Sequence, residues 1–135
     1  MIVAIVGTRE LDIPWCLQTL WEKNFDENPH MEAWTHIVTG DCPTGGDFAA
    51  REYAKKHNIP ATIYKANWRP QGNNGPVDRG AGMKRNTQIV QHPGLEKVYA
   101  LWDGESKGTL DTIKKAIKLD IRVEIIPAKK MPKES

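Results

Sequence analysis

Short apolar runs alternate with helix-spaced segments along this 135-residue chain, and no other feature limits its fold as tightly. Residues 1–6 (MIVAIV) are continuously apolar and rich in β-branched side chains, as a strand covered on both faces requires. Similar runs predict further strands at 35–39, 61–65, 97–101 and 121–126. The intervening spacing predicts helices over 11–25, 47–57, 82–91 and about 110–117. In the first helix Asp12 suits the N-cap, Pro14 a first-turn position, and Ile13, Leu17, Leu20, Trp21 and Phe25 one apolar face. Phe48, Ala50, Tyr53 and Ala54 offer packing surface on the second. Regular alternation of strand and helix favours a parallel sheet with helices on both faces. The fold expected is α/β, a Rossmann-like three-layer sandwich with a mainly parallel sheet of about five strands. Residues 1–127 read as one domain without repeat or linker, and 128–135 (AKKMPKES) as a flexible basic tail.

Glycine placement adds a functional reading. Of eleven glycines, all but Gly94 lie in segments that follow a strand and precede a helix. Those segments share the carboxyl edge of the sheet, where α/β folds bind ligands and where helix N-termini suit phosphate. Gly7-Thr8-Arg9 ends the first strand, with a hydroxyl and a guanidinium suited to phosphate or carboxylate. Residues 39–47 (TGDCPTGGD) follow the second, placing Gly40, Gly45, Gly46 and Asp47 around a phosphate-cradling turn. It has no Gly-Lys-Ser/Thr ending, which disfavours a Walker-type nucleotidase, and the first loop lacks G-x-G-x-x-G. After the fourth strand come Asp103, Gly104, Lys107, Gly108 and Thr109, with Asp111 in what reads as the first turn of the last helix.

Charge and composition exclude several classes. Net charge is +2, with part of the excess in the tail, so the body lacks a broad nucleic-acid footprint and a nucleic-acid partner is not expected. Apolar content of 39% argues against bulk disorder. Two cysteines, Cys16 and Cys42, make no disulfide framework, and Cys42 has no histidine near it in sequence to activate it. No secretory leader or bilayer-length apolar stretch is read, so the expectation is a cytoplasmic protein with no membrane partner. His30, His36, His57 and His92 are scattered, so no metal and no cofactor are expected.

Five segments in order resemble the SLOG superfamily, in particular its YspA-like branch. They are Val6-Gly7-Thr8-Arg9, residues 39–47, Ala66-Asn67-Trp68, Met83-Lys84-Arg85-Asn86, and Gly104-x-x-Lys107-Gly108-Thr109. The superfamily also holds the LOG-type nucleotide phosphoribohydrolases and the DNA-processing protein A family. The resemblance implies a Rossmann-like domain that binds a nucleotide or nucleotide-derived small molecule. It carries ligand contacts onto Gly7, Thr8, Arg9, Gly40, Gly45, Gly46, Asp47, Lys107, Gly108 and Thr109, with Trp68, Asn86, Asp103 and Gly104 on the same loops and helix start. By the same resemblance Arg85 and Asp111 match an Arg and an acid that carry chemistry in the phosphoribohydrolases.

Three readings stay open. The chain is a non-catalytic sensor or sequestering module, or a nucleoside 5′-monophosphate N-glycosidase, or a single-stranded DNA-binding accessory protein. In the glycosidase, Asp111 or Asp103 stabilises charge on the ribose or activates water. The last loop lacks the P-G-G-x-G-T turn of the hydrolases, and residues 69–80 are longer than this branch usually shows, as a lid or specificity loop would be. Trp15, Trp21 and Trp34 suit core or interface; Trp68 and Trp102 lie on ligand-side loops and could stack on a base. An apolar face on the first helix would serve a homodimer or higher homo-oligomer, common in this superfamily.

Overall fold

The structure is a computed structural model that describes residues 1–26 and 34–131. Its elements run β1 (Ile2–Gly7), α1 (Ile13–Asp26), β2 (His36–Gly40), α2 (Gly45–Lys56), β3 (Ala61–Tyr64), α3 (Ala81–Val90), β4 (Lys97–Trp102), α4 (Lys107–Lys118) and β5 (Arg122–Pro127). The five strands form one parallel sheet in the order β3-β2-β1-β4-β5. The expected α/β architecture is therefore present, with every named strand parallel.

Burial explains why β1 reads as an unbroken apolar run. Val3 and Ile5 face one layer, with Leu20 of α1 and Ala49, Ala50 and Tyr53 of α2. Ala4 and Val6 face the other, with Ile89 and Val90 of α3 and Ile113 and Ala116 of α4. A central strand covered on both sides cannot alternate polar and apolar residues. At the sheet edge β3 does alternate between exposed and half-buried positions.

Three expectations are corrected. Of the expected α1 face Leu20 is buried and Ile13 and Leu17 pack against the core, but Trp21 and Phe25 are exposed, their rings tilted 5.2 Å apart, and the buried stripe runs through Cys16, Thr19, Leu20 and Asn24. Asn24 replaces an apolar residue in that stripe. Its side chain donates to the Tyr53 hydroxyl and accepts from the Trp34 amide, so it is buried with its hydrogen bonds made. Second, α2 and α4 begin earlier than the apolar spacing indicates, at Gly45 and Lys107. Their first turns carry glycine, a poor helix former that sequence pattern reads as loop. Third, Asp111 consequently lies in the second turn of α4, beyond reach of a first-turn dipole argument.

Other sequence signals appear as read. Asp12 caps α1 by accepting the Trp15 amide at 2.9 Å. Against the expected flexible tail, the chain stays attached after β5: Lys130 bridges Leu11 in antiparallel fashion and the Met131 amide donates to the Glu10 carbonyl at 2.8 Å. Residues 132–135 of the expected tail, and His30, lie outside the described residues.

The glycines after β1 and β2 serve packing first. A Cβ on Gly46 would lie 2.4 Å from the Gly7 Cα, and one on Gly45, where φ is +72°, 2.1 Å from the Thr8 carbonyl. The loop after β1 and the first turn of α2 thus touch backbone to backbone. Gly104 and Gly108, by contrast, face open space. We expect Gly46→Ala to destabilise the fold by at least about 2 kcal/mol, because backbone must move to admit it. Gly108→Ala should stay within about 1 kcal/mol of the native chain, on the stabilising side. Urea denaturation midpoints of the two variants check this pair.

Candidate functional site

The chain runs from β1 to its neighbour β2 and later returns to β4 on the other side, so the topological switch lies between β1 and β4. The crevice outside those carboxyl ends is where an open α/β sheet takes a ligand. A cavity of about 70 Å³ opens there. Gly7 and Arg9 line it from the loop after β1, Cys42 and Asp47 from β2–α2, and Arg85 and Asn86 from α3. Ser106, Gly108, Thr109 and Thr112 close it at the start of α4.

At its base lies Asp47, which is buried in the first turn of α2. Burial pushes its carboxyl up to about 6, against the pull of Arg85, the Cys42 amide, Arg51 and the Gly7 amide. Thr44, not Asp47, holds the N-cap position of α2. Asp47 instead reaches back to the backbone of Cys42, fixing the loop after β2. Arg51 braces the same loop, donating to the carbonyls of Gly40 at 2.8 Å and Cys42 at 2.7 Å. Gly40 itself leaves room for charge. A Cβ there would meet the Asp47 carboxylate at 2.4 Å and the Arg85 guanidinium at 2.7 Å.

Arg85 and Asp111, paired as catalytic by sequence, do different things. The Arg85 side chain is 10% exposed and lines the cavity; its Nη1 donates to Asp41 Oδ1 at 2.7 Å and its Nε to Asn86 Oδ1 at 3.0 Å. Asn86 Nδ2 then donates to the Gly108 carbonyl at 3.2 Å and to Asp111 Oδ2 at 3.1 Å. Lys115 holds the same Asp111 oxygen at 2.8 Å. Asp111 therefore knits α3 to α4 and does not line the cavity. The residue that turns into the cavity beside it is Thr112, which carries no acid.

Asp103 and Thr8 are likewise engaged with each other. The Thr8 hydroxyl donates to Asp103 Oδ1 at 3.2 Å, and the amides of Glu105 and Ser106 donate to that oxygen at 2.9 and 2.8 Å. Burial alone would raise the Asp103 carboxyl; those donors and the Lys130 ammonium hold it below the usual range. Asp103 therefore shapes the loop that opens α4. Trp102 is bound into the same turn, its Nε1 donating to the Ser106 carbonyl at 3.0 Å.

Two cations at this edge keep their charge available. Arg9 is exposed at the cavity rim, and Lys107 is exposed at the first position of α4 but does not line the cavity. Among the described residues neither has an ion-pair partner. Trp68, half-exposed, lies over Gly82 at the start of α3. The site thus gathers Gly7, Arg9, Asp47, Asn86, Gly108 and Thr109 of the expected residues with Arg85. Gly40, Gly45 and Gly46 lie behind its wall. Asp41, Ser106 and Thr112 were missed. Thr112 follows Gly108 by one helical turn, so its position becomes legible once the start of α4 is known.

The histidines are less scattered than their sequence positions suggest. His36 and His92 stack with ring centroids 5.6 Å apart, and His92 is hydrogen-bonded to the Tyr64 hydroxyl at 2.8 Å. Among the described residues no three metal-ligating side chains converge, and no helix is long and apolar enough to cross a membrane. Comparison with protein-family models, with curated proteins and with solved structures finds no match for this chain.

The Asp47 carboxyl gives a pH signature. Its folded value of about 6 stands above the ordinary 3.8, so the folded chain binds the extra proton between those limits. Stability contributed by this group therefore rises as pH falls through 6. Relative to Asp47→Asn, the native chain should gain on the order of 2 kcal/mol between pH 7 and pH 4. Urea unfolding of both proteins at the two pH values measures it; an unchanged gap would contradict the assignment.

Proposed function

We propose that this chain binds the phosphate end of a nucleotide or nucleotide-derived ligand at the β1–β4 switch point, as a non-catalytic binding module. The observation that carries this reading is the composition of the cavity wall. Ser106, Thr109 and Thr112, at the start of α4, line the cavity together with Arg9 and Arg85. Ser106 does not use its side chain to cap α4, so first-turn amides of α4 keep capacity for an anion, whereas in α2 the Gly46 amide donates to the Thr8 carbonyl at 3.2 Å. An opening of about 70 Å³ lined by these residues has room for a phosphate group. The SLOG resemblance implies a ligand of the same class.

The binding reading is favoured over hydrolysis by what surrounds each carboxylate. Asp111 is held by Asn86 and Lys115, and Asp103 by Thr8 and two amides. Asp47 lines the cavity, but the Arg85 guanidinium and two backbone amides hold it. None is poised as a solvated base beside a bound sugar. Arg9 supplies the exposed charge at the mouth, so Arg9→Ala should weaken ribose 5-phosphate binding at least about tenfold while leaving the unfolding midpoint unchanged. Titration calorimetry on the native chain and the variant checks it. Incubation with the four ribonucleoside monophosphates should release no free base; release by the native chain would overturn the non-catalytic reading.

A further inference from the structure

A phosphate seated among Arg9, Arg85 and the start of α4 would leave the group attached to it at the mouth of the cavity. We infer that Trp68 is the surface on which the emerging group lies, and that the site therefore reads the presence of a planar ring and not its identity. This rests on the phosphate reading above and extends it to the other half of the ligand.

The position of Trp68 follows from α3. Gly82 and Asn86 are one helical turn apart and share a stripe of that helix, and Asn86 lines the cavity. Trp68 lies over that stripe at Gly82. A Cβ on Gly82 would meet the ring edge (Cη2) at 3.4 Å and lie 4.0 Å from Nη2 of Arg85. The indole is thus seated one turn above Asn86, on the same side of α3 as Arg85 and outside the residues that line the cavity. Glycine at 82 lets the ring come down onto the helix backbone.

The ring is held there by a built loop. The Asp78 amide donates to the Trp68 carbonyl at 2.7 Å, closing residues 68–78 at their neck. Within the loop Arg69 donates to the Gly75 carbonyl at 2.7 Å, and the Gly72 amide to the Arg69 carbonyl at 3.0 Å. Asp78 ties the neck to α3 through the Gly80 amide at 2.9 Å and the Lys84 ammonium at 2.7 Å. A loop braced in this way would ordinarily turn its tryptophan inward, yet Trp68 is 42% exposed. Trp102, the other tryptophan at this edge, is committed to Ser106 and the core. Among the described tryptophans at this edge, Trp68 is the one left exposed.

Stacking on a single indole is tolerant, because every nucleobase has a π-face. Hydrogen-bond readout would instead need side chains converging on a base edge. The ligand class this geometry fits is a phosphate ester of a planar, ring-bearing group, with weak discrimination among bases.

The test compares adenosine, guanosine, cytidine and uridine monophosphates with ribose 5-phosphate, by calorimetry on the full chain. The four nucleotides should bind within about fivefold of one another, and each at least about tenfold tighter than ribose 5-phosphate. Trp68→Ala should bring the nucleotides to within about twofold of ribose 5-phosphate and leave ribose 5-phosphate itself unchanged, whereas Trp68→Phe should keep most of the difference. Thermal unfolding verifies that both variants are folded. If nucleotides and ribose 5-phosphate bind the native chain alike, or if Trp68→Ala preserves their ratio, the shelf is overturned and the phosphate site stands. If a single base binds far more tightly than the rest, tolerant stacking is overturned. If none of the five binds, both readings fall.

Discussion

Where β1 ends, its backbone touches the first turn of α2, with Gly7 and Gly46 meeting at a distance that excludes any side chain on either. This contact sets the depth to which α2 sinks into the carboxyl edge of the sheet. Asp47, the next residue, is thereby drawn under the loop after β2, and Gly40 must be bare to admit it. Arg85 approaches the same point from α3. A larger residue at any of these glycines would push the helix outward and undo the floor of the cavity.

Burying Asp47 costs stability, as its raised carboxyl value records. Arg85, Arg51 and the backbone amides of Cys42 and Gly7 offset that cost without abolishing it. From there polar contacts continue in sequence from Asp41 to Arg85, Asn86, Asp111 and Lys115. Each group satisfies its neighbour, so the network joins the β2–α2 loop, α3 and α4 into one rigid wall. A preorganised wall of donors costs little to reorganise when an anion arrives.

Much of the fold was legible because its rules are local. Alternating apolar runs and helical spacing gave the element order, and Asp12 marked the start of α1. The α1 face was misread because Trp21 and Phe25 are apolar yet lie off the docking stripe, whose phase depends on where α2 and the sheet stand. The starts of α2 and α4 were misread because glycine in a first turn looks like loop. Asp111 was matched by resemblance alone; that it faces Asn86 and Lys115 depends on how α3 packs against α4, which no local rule supplies.

The site divides along the same line. The sequence by itself determined that a parallel sheet would carry glycine-rich loops at its carboxyl edge, because strand-helix alternation and the glycine positions are both properties of the linear chain. It could not distinguish glycines that make room for backbone, such as Gly7, Gly45 and Gly46, from those open to solvent, such as Gly104 and Gly108. That distinction rests on distances between segments about 40 residues apart. Only the tertiary structure decided which carboxylates face the cavity and which hold the scaffold, since burial and hydrogen-bond partners exist only once the chain is packed.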